Sequence, residues 1–306
     1  MKIAMTGATS MIGVALIKNC IDKDIEVLAF ANPGSKRLDI IPRDEHVRIV
    51  ECALDELKNY DPIDEKCDYF FHIAWAATTH AGRNDVKAHI DNIEYTIDAI
   101  NLASKLKCKK FIGTGSQAEY GRVNVPLASD TPVNPEVPYG VAKLAAGGMS
   151  RIRANQLEME HNWVRILSSY GPNDTQQTLM SSLLRSLMAG KHFATSEGIQ
   201  IWDFIHCDDV AKALLLVAQK GKNGKVYPIG SGVGRPLREF IEEVCTLVDE
   251  RKGNPKGTTL KNVGFGEVKY GQLQIMHLVA DISELTEDTG FVPQISFESG
   301  VRAMIN

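Results

Sequence analysis

Tyr139 and Lys143 stand four residues apart in the stretch Pro138-Tyr139-Gly140-Val141-Ala142-Lys143-Leu144-Ala145-Ala146. Residues at i and i+4 of a helix share one face, so this spacing sets a phenol beside an ammonium. A phenol titrates near pH ~10 and carries protons poorly at neutral pH unless a nearby positive charge favours its ionised form. Lys143 supplies that charge, and the pair suits moving a proton onto or off a reacting oxygen. A third candidate is Ser116, in Thr114-Gly115-Ser116-Gln117-Ala118-Glu119-Tyr120-Gly121. The same Tyr and Lys would also fit an amphipathic helix facing water, so the elements that position them must decide.

Those elements begin at the N-terminus. Ile3-Ala4-Met5 reads as a short apolar strand, Thr6-Gly7-Ala8-Thr9-Ser10-Met11-Ile12-Gly13 as a glycine turn, and Val14 to Ile21 as a helix. Strand, turn and helix in this order make a phosphate cradle. Gly7 permits the tight turn, Gly13 lets helix and strand approach, and the amides of Met11 and Ile12 face a pyrophosphate. Ser10 fills the middle position of the fingerprint, small enough to keep the backbone near the phosphates and with a hydroxyl available to donate to them. A second strand, Glu26 to Phe30, runs into Ala31-Asn32-Pro33-Gly34-Ser35-Lys36-Arg37. An acid here would accept from the adenosine ribose; instead Asn32, Ser35, Lys36 and Arg37 offer polar and basic groups. That chemistry favours NADP(H) over NAD(H).

Further along, His46 to Val50 reads as a third strand, followed by Cys52-Ala53-Leu54, which has no Asp to meet the adenine amine. Asp68 to Ala77 reads as a buried strand entering a small-residue loop, where the backbone at Ala74 would lie under the nicotinamide ribose. His72 reads as a core histidine, whereas His80, farther along, is placed to reach a substrate. A long helix from Val86 to Leu106 carries Asn92 and Thr96 among apolar positions. Lys110 onward is a fifth strand delivering Ser116 to its carboxyl end, where doubly wound sheets bind ligands. The Tyr139 helix runs to about Met159, and Trp163 to Ser168 is a sixth strand. Alternating strands and helices predict an α/β fold, a doubly wound parallel sheet of Rossmann type with a smaller C-terminal α/β region for substrate. The expected division is 1–170 for dinucleotide binding, with 199–220 returning to it, and 171–198 with 221–306 for substrate.

Composition narrows the classes. The 306 residues are 44% hydrophobic and 24% charged, with a net charge of −4, which is ordinary globular material with no general attraction for nucleic acid or anionic membrane. Six scattered cysteines without a C-x-x-C pair read as reduced thiols, and no metal site is expected. With no apolar leader ahead of Gly7 and no run long enough to span a bilayer, a cytoplasmic protein is expected.

Taken in order, Thr6-Gly7 through Gly13, Ser116 ahead of Tyr120-Gly121, Tyr139 with Lys143, Tyr170-Gly171-Pro172, Trp202-Asp203-Phe204 and Gly290-Phe291-Val292-Pro293 resemble the extended short-chain dehydrogenase/reductase superfamily. The branch is that of nucleotide-sugar epimerases, dehydratases and ketoreductases, and the likeness covers essentially the whole chain. It implies that Tyr139 is the general acid/base, that Lys143 lowers its pKa and holds the nicotinamide ribose, and that Ser116 hydrogen-bonds the reacting oxygen. Asn92 matches an asparagine supporting the active-site backbone. Ser10 replaces the usual glycine. Trp202 stands where many members carry an arginine for the nucleotide diphosphate, leaving Arg235 and Lys191 as substitutes. A homodimer through the two long helices is also implied.

The resemblance further sorts the reactions. Dehydratases of this branch place an Asp-Glu pair directly after the catalytic hydroxyl residue, and epimerase-reductases place a cysteine two residues after the serine; here Gln117 and Ala118 occupy those positions. Gln117 is therefore read as a substrate neighbour, with His80 and Trp202. NADPH-dependent reduction of a nucleotide-linked 4-keto-6-deoxy sugar is favoured, a nucleotide-sugar 4-epimerase is the alternative, and a non-catalytic dinucleotide-binding module is the alternative of another class.

Overall fold

A computed structural model describes residues 1–79 and 81–305. In chain order it contains β1 (Lys2–Thr6), α1 (Met11–Ile21), β2 (Glu26–Ala31), β3 (Val47–Glu51), β4 (Tyr69–His72), α2 (Val86–Lys105), β5 (Lys110–Ser116), α3 (Pro138–Gln156), β6 (Glu160–Ile166) and β7 (Ser168–Tyr170). There follow α4 (Leu179–Met188), β8 (Phe193–Thr195), β9 (Ile201–Trp202), β10 (Phe204–His206), α5 (Cys207–Lys220), β11 (Val226–Ile229), β12 (Arg235–Pro236) and α6 (Leu237–Lys252). The last elements are β13 (Val263–Phe265), β14 (His277–Leu278), α7 (Ser283–Thr289) and α8 (Phe297–Ile305).

Seven strands form one parallel sheet in the order β11-β6-β5-β4-β1-β2-β3. Chain direction across the sheet reverses between β1 and β4, and the carboxyl ends at such a switch point open the crevice in which doubly wound folds take ligands. Apart from the edge strand β3, which is half-buried to exposed, the sheet strands are largely buried on both faces, as expected of a parallel sheet covered by helices. One face packs Phe70, Phe111, Ala99, Ile100 and Ala103, with Ala154 of α3. The other packs Leu16 and Ile17 of α1 against Val210, Leu214 and Val217 of α5. A third apolar cluster joins α4, α6 and α8 through Leu183, Phe240, Val244 and Val301, and forms the smaller C-terminal region.

Two of the boundaries that differ from the sequence reading lie around α3 and β6. Helix α3 stops at Gln156 rather than Met159, because Glu158 takes a left-handed φ of 54° that reverses the chain. Strand β6 starts at Glu160, three residues ahead of the expected Trp163, with a polar Glu-His-Asn opening that hides its strand character. That opening is buried because His161 stacks between Phe111 and Trp163, at 5.9 and 6.3 Å, and the Asn162 amide donates to the Lys222 carbonyl at 2.7 Å. The expected division at 221 also needs correction at one strand. Val226–Ile229 pairs with β6 at the edge of the main sheet, since its apolar residues complete the sheet's core rather than the smaller region's.

Candidate functional site

At the β1–α1 turn the backbone itself makes the cradle. Gly7 has a φ of 81°, and a Cβ there would stand 2.7 Å from the Ala74 amide nitrogen. A Cβ on Gly13 would sit 2.1 Å from the Gly7 carbonyl oxygen. Both positions are closed to side chains, which fits a dinucleotide pinched between strand and helix. Met11 and Ile12 open α1, where backbone donors lack intrahelical partners. Ser10 departs from expectation. Its hydroxyl donates to the Gly7 carbonyl at 2.8 Å and accepts the Gly13 N–H at 3.0 Å, so it caps α1 instead of standing free for phosphate.

The turn after β2 is held by its own polar side chains. Asn32 accepts the Gly34 N–H at 2.8 Å and Ser35 accepts the Arg37 N–H at 3.2 Å. The Arg37 guanidinium donates to the Asn173 carbonyl in the loop after β7. Beneath the crevice, His72 is clamped between Thr6 (3.0 Å) and Thr96 (3.2 Å), and burial pushes its pKa down to about 3. It is a neutral core histidine, as read from the sequence. The Ala74 N–H donates to the Thr6 hydroxyl at 3.3 Å. Asn92 accepts the Ala76 N–H at 2.8 Å and donates to the Ala76 and Ala88 carbonyls at 3.2 and 2.8 Å, fixing the loop after β4 against α2.

The proton-handling trio converges on one buried site. Ser116 ends β5, while Tyr139 and Lys143 lie on the buried face of α3 one turn apart. Pro138 at the first turn of α3 starts that helix with no N–H to leave unpaired. Burial raises the Tyr139 phenol above the ordinary tyrosine value; a hydrogen bond from Ser116 and the Arg83 guanidinium pull it back down. Burial pushes Lys143 down to about 7, opposed by the charge of Glu119. Its ammonium donates to the Thr114 carbonyl at 2.6 Å and lies 3.8 Å from the centre of the Trp75 ring.

Three neighbours escaped the sequence reading. Trp75 meets the Tyr139 ring edge-on at 6.2 Å and donates through Nε1 to His89 Nδ1 at 3.3 Å. Trp75 had a signal, being the one large residue in Ile73-Ala74-Trp75-Ala76-Ala77. His89 is buried 5.5 Å from the Tyr139 ring and precedes Asn92 by one helical turn, which places it on the same inward face. Arg83 lies 5.1 Å above the Tyr139 ring from a short turn with no periodicity to mark it.

Toward the smaller region the predicted residues are looser. The Gln117 side-chain oxygen is buried with no partner among the described residues. Trp202 is half-buried on β9 directly opposite Arg235, whose guanidinium pairs with Glu243 at 2.8 Å and stacks 4.1 Å over Phe240. Lys191 sits on the exposed turn after α4. His80 lies outside the described residues. His206, Cys207 and Asp208 come within 4.8 Å of one another, but this is the start of α5: His206 accepts the Asp208 N–H at 3.3 Å, and burial pushes the Cys207 thiol up to about 12. No described helix is long and apolar enough to cross a membrane.

Residues 3–230, which include the cradle, the trio and all of the seven-stranded sheet but Lys2, match the NAD dependent epimerase/dehydratase family. The chain belongs to that family. Its relatives carry different reactions. It is 24% identical over 248 residues to the dTDP-6-deoxy-L-talose 4-dehydrogenase (NAD(+)) of Aggregatibacter actinomycetemcomitans, covering 79% of this chain and 89% of that one. The UDP-N-acetylglucosamine 4-epimerase of Methanobrevibacter ruminantium has the same fold at a TM-score of 0.86, with 22% identity over 99% of this chain and 96% of that one. A dTDP-glucose 4,6-dehydratase of Streptomyces venezuelae, solved with NAD, superposes at a TM-score of 0.84 with 19% identity over 100% of this chain and 96% of that one. The protein is therefore an NAD(P)-dependent enzyme of the epimerase/dehydratase family.

Proposed function

We propose that the protein reduces a nucleotide-linked 4-keto-6-deoxy sugar with NADPH, with Ser116, Tyr139 and Lys143 as its catalytic residues. The observation that carries this reading is the buried trio bordered by Gln117 and Ala118, neither of which is an acid or a base. Elimination of water would need further proton-transfer groups at that place. Reduction needs one. The bound dinucleotide supplies the hydride. Ser116 holds the carbonyl oxygen of the sugar and Tyr139 delivers the proton to it. Lys143 keeps positive charge beside the phenol as that proton leaves. Gly7, Met11, Ile12, Gly13 and Ala74 would hold the dinucleotide, and Ser35 with Arg37 would meet its ribose phosphate once Arg37 exchanges the Asn173 carbonyl for it. Gln117 and Trp202 border the sugar.

A 4-epimerase is the second reading, favoured by the fold match to the Methanobrevibacter ruminantium enzyme and by the engagement of Arg37 with Asn173, which keeps the guanidinium from a phosphate. Separate titrations of the nucleotide-free protein with NADPH and NADH, followed by addition of a nucleotide-linked 4-keto sugar, decide between them. Stoichiometric loss of NADPH absorbance supports the reductase. A changed sugar without net absorbance change, on protein that retains NAD, overturns it in favour of the epimerase.

A homodimer through α2 and α3 belongs to the same reading. Val86, Ile90, Val141, Met149 and Ile152 on these two helices are exposed apolar side chains. Sedimentation of the wild type is expected to give a dimer and the Ile90→Glu/Ile152→Glu variant a folded monomer; a monomeric wild type would refute the interface.

A further inference from the structure

Behind the catalytic serine lies a second charged cluster that none of the steps above uses. Glu119, three residues after Ser116, is fully buried. One of its carboxylate oxygens accepts the Ser116 N–H at 2.8 Å. The indole N–H of Trp163 donates to both oxygens, at 3.1 and 3.2 Å, and Arg165 Nε donates to the second at 2.7 Å. The carboxylate is pressed into the strand itself: a Cβ at Gly115 would stand 2.2 Å from it. Arg165 is in turn stacked on Tyr120, 4.5 Å from ring centre to guanidinium, and Tyr120 donates to the Ala128 carbonyl at 2.8 Å.

We propose that Glu119 is a positioning residue of the catalytic site, fixing Ser116 through its backbone N–H and acting as the counter-charge of the buried Lys143. The proposal rests on the reading of Ser116, Tyr139 and Lys143 as catalytic. Ser116 ends its strand with its hydroxyl already accepting the Ala118 N–H at 3.2 Å, so the hydroxyl proton stays available for Tyr139 and substrate. Without the Glu119 anchor that strand end is free to shift, and small displacements of a reacting group are costly. Among the described residues Lys143 has no carboxylate in direct contact, and its ammonium meets the Thr114 carbonyl and the face of Trp75. The charge of Glu119 opposes the effect of burial on Lys143 and also raises the Tyr139 phenol. The other charged or titratable groups facing the pair are Arg83 from the turn before α2, His89 from α2 and His72 from β4. Arg165 from β6 is spent on Glu119.

Glu119→Gln keeps an acceptor for the Ser116 N–H but removes the charge, and Glu119→Gln/Arg165→Met removes the charge without stranding Arg165. Two readouts test the proposal on full-length protein. In the nucleotide-free protein, lysine side-chain NMR, assigned with Lys143→Arg, follows the Lys143 titration; in both variants its midpoint is expected to fall by about half a pH unit or more. In turnover with NADPH and the keto sugar, kcat is expected to fall about 10-fold while the Kd for NADPH stays within about 2-fold. An unmoved Lys143 midpoint, or a kcat within about 2-fold of wild type, overturns the assignment. If the wild type fails to oxidise NADPH with any keto sugar, the reductase reading falls, while the Lys143 titration still decides for or against Glu119.

Discussion

The two ends of the crevice are built by different means. At the dinucleotide end, backbone does the work: Gly7 and Gly13 leave no room for a Cβ, and the Asn92 amide ties the Ala76 backbone of the loop after β4 to Ala88 in α2. At the proposed sugar end, side chains do it: the Gln117 oxygen is buried with no partner among the described residues, and Trp202 occupies the strand position facing Arg235. A surface made of backbone can accept only one class of partner, because its hydrogen bonds do not depend on residue type. A surface made of side chains can be changed one residue at a time. This accounts for one fold serving a dehydrogenase, an epimerase and a dehydratase among the relatives.

The sharpest way to break this division is at the trio that joins the two ends. Tyr139→Phe removes only the hydroxyl from a ring held by Trp75, His89 and Arg83, so the pocket keeps its shape. Turnover should fall by roughly a hundred- to ten-thousand-fold, the range of a lost general acid, with dinucleotide affinity almost unchanged. Stopped-flow reduction and a fluorescence titration measure the two separately. Near-full turnover would remove Tyr139 from the chemistry.

How much of this was legible in the sequence follows the same division. The parallel sheet, the cradle glycines and the Tyr139–Lys143 face could be read because backbone geometry and helical spacing are local properties that the order of residues encodes directly. Arg83, Trp75 and His89 could not be assigned, since their meeting at Tyr139 depends on three elements converging from different parts of the chain. The opening of β6 was hidden for a related reason: Glu160-His161-Asn162 is polar, and its burial depends on partners at 111, 222 and 223. Ser10 was misjudged in detail because a serine ahead of a helix serves equally as a phosphate donor or as a cap, and the cap hydrogen bonds took the hydroxyl here.

Gly13→Ala tests the backbone-built end with a smaller but distinct effect. The added methyl would stand 2.1 Å from the Gly7 carbonyl oxygen, so strand and helix must part. We expect a loss of roughly 1–3 kcal/mol in stability, as for other overpacked sites. The Kd for either dinucleotide should weaken by at least about 10-fold, equivalent to ~1.4 kcal/mol. Denaturant melts and calorimetric titration measure the two, and equal binding by wild type and variant would mean that the nucleotide does not lie in this turn.

Arg37→Ala probes the point where the two means of construction meet, a side chain on the dinucleotide end. The guanidinium is tied to the Asn173 carbonyl, beside the half-buried Asp174, whose carboxyl is raised by desolvation and pulled partly back by the Arg37 charge. For NADPH to use Arg37, that tie must be exchanged for the ribose phosphate, a stronger charge-assisted and bidentate partner. The variant should therefore lose about 1–2 kcal/mol of NADPH affinity, within the range of hydrogen bonds to charged groups, and almost none for NADH. The effect should shrink as salt rises, because the site is partly exposed. Equal losses for both nucleotides would instead place Arg37 as a structural tie to the loop after β7. A variant that binds both as the wild type does would leave the preference for NADPH without a physical basis, and the epimerase reading would gain.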